Sequence, residues 1–428
     1  MNYLVGARRL RPAFIALTAI SIGLTLLGCR THYGVSRLKL QESLTGPKAE
    51  IFQRMLDLFN QEYSGDIQVE QQKVKPSDFR SNFEKAAKDK QPIHLLVQLS
   101  YVIPEYRKNK ELEAIKCPDN KNILKPNAFL PVSVQNCIDN NNLYAVPLDF
   151  EVLGLYYNVN AVKAAGLNPD NPPVNMQQFM VWAKKLTRDF NGDGKPDQYG
   201  ILLPATKNDS TLSRIWFSLF IQNGGAFLDP SGKKCLANSP AGVKALQFLV
   251  DLVNKDRVAI IGDPEKGFTS GKAAMIMQNP EMLSKFAAAG NFEFKTAVFP
   301  AFFAKPAAWG ESYVVAVAKQ DDTSKKNAAC TFIQWMSDNS WMWAQSGQVP
   351  ARKSILKSKK FKNNPLYSYQ KPFIESQNIA VYPPSIPEVF SDDGSGPLSN
   401  AIVSALSKEK TPQAALNECV AAVDSILQ

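Results

Sequence analysis

The densest concentration of chemistry-bearing side chains is the run Asp189-Phe190-Asn191-Gly192-Asp193-Gly194-Lys195-Pro196-Asp197-Gln198. Oxygen-bearing side chains at the first, third and fifth positions, glycine at the sixth, a carbonyl at the seventh and a carboxylate at the ninth are the donors of a calcium loop. The twelfth position, where a bidentate glutamate closes such a loop, is Gly200. The expected ligand set is Asp189, Asn191, Asp193, Lys195 through its carbonyl, Asp197 and Gln198 as a neutral oxygen. A structural Ca2+ there staples a loop and does not activate water; the same residues also suit a metal-free Asx/Gly turn. No other cofactor is expected. Only two histidines occur, His32 and His94. Histidine-based triads, His-ligated zinc and imidazole acid–base work all need a placed histidine, so most hydrolase chemistry is excluded, though paired carboxylates are not.

One cysteine sits where chemistry of another kind is expected. Arg8, Arg9 and Arg11 head an apolar run from Ala13 to Leu27, followed by Gly28 and Cys29. A cationic head, a short apolar stretch and a small residue make an export signal, and about 15 apolar residues are too few to span a bilayer core. Gly28-Cys29 resembles the end of a bacterial lipoprotein signal, which implies cleavage before Cys29 and a lipid on its thiol, with 29–37 as tether. The alternative is an uncleaved anchor or a chance cysteine. The lipoprotein reading tethers the mature chain outside the cytoplasmic membrane, away from ATP and NAD(P)H.

Losing residues 1–28 removes three arginines and no acid, so the formal charge of +10 falls to +7. Basic residues are spread along the chain, with one denser stretch at 352–362. That stretch suits a solvated surface or anionic lipid headgroups, and nothing resembles a nucleic-acid surface. With 428 residues, 45% of them apolar, two domains with substantial cores are expected. Six cysteines are present, and none has zinc-type spacing. Cys117 and Cys137 flank an Asn/Pro-rich excursion and are the expected disulfide. Cys330 and Cys419 are either partners or buried thiols, and Cys235 is the leftover.

The elements that must position these groups follow from periodicity. A brief strand at 38–40 precedes a Gly46-Pro47 turn, and Ile51, Met55, Leu58 and Phe59 then recur at helical spacing. Strands at 67–71 and 93–99 bracket a helix carrying Phe79 and Phe83, an alternation that argues α/β architecture. Segment 144–158 is long, β-rich and broken by Pro147, as a crossing between domains requires. Helices are expected at 161–166, 176–187, 212–221, 241–254, 328–336, 398–406 and 413–427. Segments 268–279, 296–303 and 313–318 are strand-rich.

Two runs, Gly192–Gly200 and Pro147–Asn158, resemble the family 1 extracellular solute-binding proteins of ABC importers, the group of maltose-, glycerol-3-phosphate- and oligosaccharide-binding proteins. The resemblance continues through 269–277, 309–317 and 347–352, and covers nearly the whole mature chain. It implies a periplasmic-binding-protein-like fold of two α/β lobes that close over a ligand. The implied N-terminal lobe is 38–148 with 302–345, the C-terminal lobe 149–301 with 346–428, and the crossings lie near 148–153 and 297–303. It also implies a monomer that is not an enzyme, a carbohydrate-like ligand, a permease partner, membrane contact through lipid alone and no nucleic acid.

Carried over residue by residue, Glu151 falls where maltose-type binders place a sugar-hydroxyl acceptor. Tyr101 ends a buried strand where the family puts ligand contacts, and Trp309, Glu311 and Tyr313 follow the second crossing. Arg214 and Trp216 lie on the helix before Asn223-Gly224-Gly225. Core packing is as common an outcome as ligand contact for each aromatic. Glu281 stands where the maltose-type pattern has a stacking tryptophan, and 391–406 contains neither an aromatic nor an arginine. That departure counts against maltodextrins and glycerophosphates alike and points to a smaller, polar or cationic ligand met by Glu281, Asp392 or Asp393; a glycerophosphodiester, a polyol or a cationic solute is the alternative to a carbohydrate. With Glu42, Asp149 and Arg352, these complete the expected contact set. A glycosidase pairing Glu151 with Glu311 or Asp149 is the distant alternative.

Overall fold

The stretch read as one crossing visits three different sheets. In the computed structural model, which describes residues 34–118, 124–204, 209–290, 292–390 and 394–428, it forms β6 (Ala145–Pro147), β7 (Asp149–Val152) and β8 (Gly154–Asn158). Before it come β1 (Ser36–Glu42), β2 (Ile67–Lys73), β3 (Leu95–Leu99) and a small hairpin, β4 (Ile138–Asp139) with β5 (Asn142–Leu143). After it come β9 (Tyr199–Pro204), β10 (Ala259–Gly262), β11 (Ala273–Gln278), β12 (Phe294–Val298), β13 (Ala308–Glu311), β14 (Tyr313–Val317), β15 (Val349–Pro350) and β16 (Ala380–Val381).

The first sheet has the order β2-β1-β3-β14-β6, the second β10-β9-β11-β8-β12, and the small third β15-β7-β13-β16. The first sheet is parallel from β2 to β3 and antiparallel through β14. Helices cover these sheets because their apolar residues recur every three or four positions. In Gly46–Glu62 the buried stripe is Phe52, Met55, Leu56 and Phe59, and Phe59 packs against Phe332 and Trp335. In Thr211–Gln222 nearly every residue is buried, because β13 and the helix Pro240–Asn254 flank it.

The cores separate accordingly. One holds Leu38, Leu96, Val315 and Trp343; the other holds Tyr156, Leu202, Ile276, Trp216 and Trp309. The third sheet lies between them, with β7 joining β6 to β8 and β13 leading into β14. The second crossing therefore lies between Glu311 and Tyr313, later than the expected 297–303. Gln222 is the reason. Its amide nitrogen donates to the carbonyls of Pro300 (2.9 Å) and Ala307 (2.8 Å), and its oxygen accepts from Phe302 N (2.6 Å), which keeps 300–307 on the second core. The residues from 268 also differ from expectation, since Pro264–Thr269 is a helix capped by the Asp263 side chain.

The disulfide expectation is corrected. Cys117 pairs with Cys330, not with Cys137. Backbone bonds from Glu113 N to Val317 O (2.8 Å) and a bridge between Leu112 and Ala318 lay this segment beside the helix Thr323–Asp338, which carries Cys330. Cys137 points into the first core as a fully buried thiol, and Cys235 and Cys419 are buried thiols in the second. The signal segment, Cys29, Asp392 and Asp393 lie outside the described residues.

The Cys117–Cys330 bond closes a loop of 213 residues in sequence, so its loss is expected to cost about 2–5 kcal/mol. Cys117→Ser should lower the urea midpoint accordingly, and non-reducing peptide mapping should link 117 to 330. A peptide joining 117 to 137 would overturn the assignment.

Candidate functional site

A cleft of about 610 Å³ opens between the two cores, within the range of small-molecule sites. From the first lobe it is lined by Ser43, Thr45, Lys48, Lys75 and Ser77; from the second by Ser210, Thr211, Arg214, Gln278, Glu281 and Lys285; from the crossing by Glu311 and Tyr313. Tyr313 is its only aromatic ring among the described residues, so its walls are built for hydrogen bonds and charge.

Each lobe contributes one end of an ion pair across the cleft. Lys48 lies in the first turn of Gly46–Glu62, where Gly46 takes a positive φ and Pro47 starts the helix. Its Nζ reaches Glu281 Oε2 at 2.6 Å, donates to the Tyr313 hydroxyl at 3.1 Å and sits 4.4 Å over the Tyr313 ring. Burial alone would pull the Lys48 ammonium down, but the charges of Glu281, Tyr313 and Glu151 raise it well above the usual lysine range. In return, the Lys48 charge outweighs burial and holds the Glu281 carboxyl well below the carboxylate range. Glu281 follows β11 at a corner fixed by the Tyr156 hydroxyl, which donates to the Asn279 carbonyl at 2.7 Å.

The floor is acidic. Glu151 on β7 and Glu311 on β13 are direct cross-strand partners, a placement that costs energy when both are charged. Arg214 meets Glu311 at 2.9 Å, and the Asn279 amide donates to Glu151 (3.2 Å) and Glu311 (3.1 Å). Burial pushes the Glu151 carboxyl well above its usual range, with Asp149, Glu311 and Glu281 adding to the rise and Lys48 opposing it. Asp149, two residues earlier, is turned to the crossing: Oδ1 accepts from Tyr313 N and Oδ2 from Trp343 Nε1, each at 2.7 Å. Burial raises it to about 7 despite these donors.

The family described as bacterial extracellular solute-binding protein matches residues 54–368. The chain belongs to that family. Among curated relatives, the probable amino-acid ABC transporter periplasmic-binding protein y4oP of Sinorhizobium fredii is 37% identical over 112 residues, 26% of this chain and 24% of that protein. The sn-glycerol-3-phosphate-binding periplasmic protein UgpB of Pectobacterium atrosepticum is 25% identical over 162 residues, 37% of this chain and 35% of that one. The chain thus spans about a quarter and about a third of the lengths of these relatives. Among solved structures, UgpB from Mycobacterium tuberculosis in complex with glycerophosphocholine superposes with a TM-score of 0.76 at 16% identity, covering 92% of this chain and 98% of that one. The cyclic alpha-maltosyl-1,6-maltose binding protein from Arthrobacter globiformis gives 0.73 at 22% identity, covering 92% and 99%. At these identities the likeness is one of fold.

In this solute-binding protein the sequence-derived residues divide clearly. Arg214, Glu281, Glu311 and Tyr313 line the cleft, and Glu151 lies directly behind it through Asn279. Asp149 serves the crossing. Tyr101 donates from its hydroxyl to the Phe390 carbonyl at 3.2 Å, and Trp309 packs against Phe217 and Phe390 beneath Arg214. Three expectations are corrected. Trp216 is a core residue stacked on Phe220, with its indole N–H on Gly242 O. Glu42 anchors a turn, accepting from Leu44 N and Gln71 Nε2. Arg352 pairs with Asp338 away from the cleft. Lys48, Lys75, Thr211, Gln278 and Asn279 were not anticipated. Asn279 stands two residues before Glu281, and its role appears only when β7 and β13 bring Glu151 and Glu311 beside it.

The 189–198 loop holds its own shape. Both Asp189 oxygens accept loop amides, from Gly192 (2.6 Å) and Gly194 (2.8 Å), while Asp193 accepts from Lys195 N and Asp197 from Phe190 N. Gly192 and Gly194 adopt positive φ to allow this. Gln198 donates to Leu186 O at 2.8 Å, so it is committed to the preceding helix rather than the loop centre. Gly200 is glycine because a Cβ there would meet the Ala183 carbonyl at 2.2 Å, which bars a closing glutamate. Among the described residues no group of three His, Cys, Asp or Glu converges as a metal cage would.

Two predictions follow from this geometry. The Lys48 side chain is 10% exposed and that of Glu281 34%, so breaking the pair should weaken the contact between the two walls of the cleft by about 1–3 kcal/mol, less than for a fully buried pair. Lys48→Met should therefore enlarge the ligand-free radius of gyration in small-angle scattering; an unchanged profile would remove the latch role. The second concerns Glu151. Its folded-state pKa is raised, so its contribution to stability is complete below the unfolded value of about 4.5 and is lost as pH rises toward the folded value. Glu151→Gln removes this dependence. The stability of the variant relative to wild type should rise with pH above about 5 by up to about 1.4 kcal/mol per unit. His94, held down to about 4 by burial, loses stability in the opposite direction as pH falls, but it is common to both proteins and cancels. Parallel pH–stability curves would refute a buried protonated Glu151.

Proposed function

We propose that this protein is the membrane-tethered capture subunit of an ABC importer, which takes up a carbohydrate-type solute by lobe closure and delivers it to a permease. The observation that carries the reading is the cleft itself, with walls from both lobes, an ion pair across its mouth and strands crossing at its base. Closure about β7 and β13 buries a polar solute against Arg214, Gln278, Glu311 and Tyr313 without making or breaking a bond. Release requires the permease to favour the open state, because a partner shifts a conformational equilibrium only by its differential affinity for the two forms. Lipid on Cys29 raises the local concentration of the binder beside that permease. The acidic floor and single ring also support a ligand richer in hydrogen-bond donors than in stacking faces, such as a polyol or a cationic solute. In the glycosidase alternative two carboxylates must flank a bond; here Glu151 and Glu311 stand side by side and share one amide.

The detergent-solubilised full chain should show saturable thermal stabilisation by a member of a mono- to oligosaccharide and polyol panel, without turnover. Metabolic palmitate labelling should be lost in Cys29→Ser. Glycoside hydrolysis would sink the binding reading, and labelling that survives the substitution would sink the anchor.

A further inference from the structure

Between β15 and β16 the chain forms three short helices, Lys353–Lys357, Lys359–Lys362 and Tyr367–Glu375. Segment 352–375 holds Arg352 and six lysines against a single acid, Glu375. Ile355 and Phe361 turn inward onto Ala344, and Trp341 and Tyr367 pack against this small core. Lys357, Lys359, Lys360, Lys362 and Lys371 are left exposed. Lys360 Nζ lies 5.0 Å from the centre of the Trp341 ring and Lys371 Nζ 5.4 Å from that of Tyr367, while Tyr367 meets Phe361 edge-on at 5.3 Å. The lysines of the second and third helices therefore crown one aromatic cluster. Arg352 is committed to Asp338, and Lys353 to the Asn127 carbonyl. Among the described residues the exposed five meet no acid, whereas Lys285, Lys295, Lys326 and Lys410 each do. Like charges held together by a folded core repel one another, and an anionic surface facing them relieves that repulsion.

We propose that this lysine patch rests on anionic lipid headgroups, so that the tethered protein lies against the bilayer through the segment between β15 and β16. Two features of the molecule point to a bilayer. One is the type of charge. Lysine is a compact point charge suited to a diffuse anionic field, whereas bidentate capture of a single phosphate calls on arginine, and the one arginine here is already paired. The other is reach. Ser36 Oγ meets Ser324 Oγ at 3.0 Å, at the start of Thr323–Asp338. That helix of 16 residues is about 24 Å long and ends at Asp338, the partner of Arg352. Cys29 precedes Ser36 by seven residues, which span up to about 25 Å when extended. A lipid on Cys29 and the patch thus reach one bilayer together. The proposal rests on the tether in the reading above and gives it an orientation. Each lysine at an anionic surface strengthens the contact about fivefold, and the effect is screened by salt.

The test reconstitutes the full chain into vesicles of phosphatidylcholine, with or without phosphatidylglycerol, and maps lysine acylation by mass spectrometry. Labelling of Lys357, Lys359, Lys360 and Lys362 should fall by about fivefold or more in the anionic vesicles and recover in high salt. Lys184 and Lys185, exposed on the helix Met176–Leu186, should keep their rates. The triple variant Lys359→Gln, Lys360→Gln, Lys362→Gln should label Lys357 equally in both vesicle types. Flotation with the phosphatidylcholine vesicles reads the tether by itself, so its failure and that of the patch are distinguishable. Equal labelling of the patch in both vesicle types would overturn the proposal and leave solute capture standing. Protection by soluble inorganic polyphosphate, with none from phosphatidylglycerol, would also overturn it and assign the patch to a soluble polyanion.

Discussion

Asp149 joins three passages of the chain that would otherwise meet only through side-chain packing. Its carboxylate takes the backbone N–H of Tyr313 and the indole N–H of Trp343, so the first crossing, the second crossing and the segment leading to β15 share one anchor. A buried carboxylate is costly unless hydrogen-bonded, and here two donors offset much of that cost while fixing direction. Every later feature of the cleft depends on this point. Alternation along β7 puts Glu151 on the same face two residues on, and β7–β13 register places Glu311 opposite it. The Tyr313 backbone held by Asp149 carries the ring on which Lys48 rests.

The chemistry of the cleft divides by element type. The acids facing Lys48 and Arg214, namely Glu151, Glu311 and Glu281, come from the crossing strands and the corner after β11, whereas Lys48 and Arg214 come from the first turns of helices in different lobes. Strands hold the acids at fixed spacing, so their mutual repulsion cannot relax by drifting apart. The cations answer it in different ways. Arg214 meets Glu311 within the second lobe, while Lys48 reaches across the cleft from the first lobe to Glu281.

Much of this was legible in the sequence, for reasons that can be stated. Periodicity finds the long helices Met176–Leu186, Thr211–Gln222, Pro240–Asn254, Pro397–Leu406 and Pro412–Leu427 almost to the residue, because long amphipathic stretches carry their own signal, but it misses shorter ones such as Pro264–Thr269, Met282–Ala289 and Tyr367–Glu375. The β-rich stretch broken by Pro147 announced a crossing, although the third sheet it builds with β13, β15 and β16 depends on partners far away in sequence. Cys117 was paired with its nearest candidate, since sequence shows spacing but not that Leu112 and Glu113 run back beside β14. Aromatic residues misled at Trp216, whose surroundings on Thr211–Gln222 are apolar on all sides. Lys48 was invisible because a lysine early in an amphipathic helix is ordinarily solvated, and only the facing lobe makes it otherwise.

The strand order of the first sheet has a consequence for how the molecule is made. β14 lies between β3 and β6, yet the strands β7 to β13 come between β6 and it in the chain. Until residue 317 has been synthesised, β6 has no neighbour in its sheet and β3 keeps an open edge; the cysteine that ties down 117 comes later still, at 330. Domains usually fold as they emerge, but this lobe cannot. β14 ends at residue 317 of 428, so about three quarters of the chain is made before the sheet of this lobe can be completed.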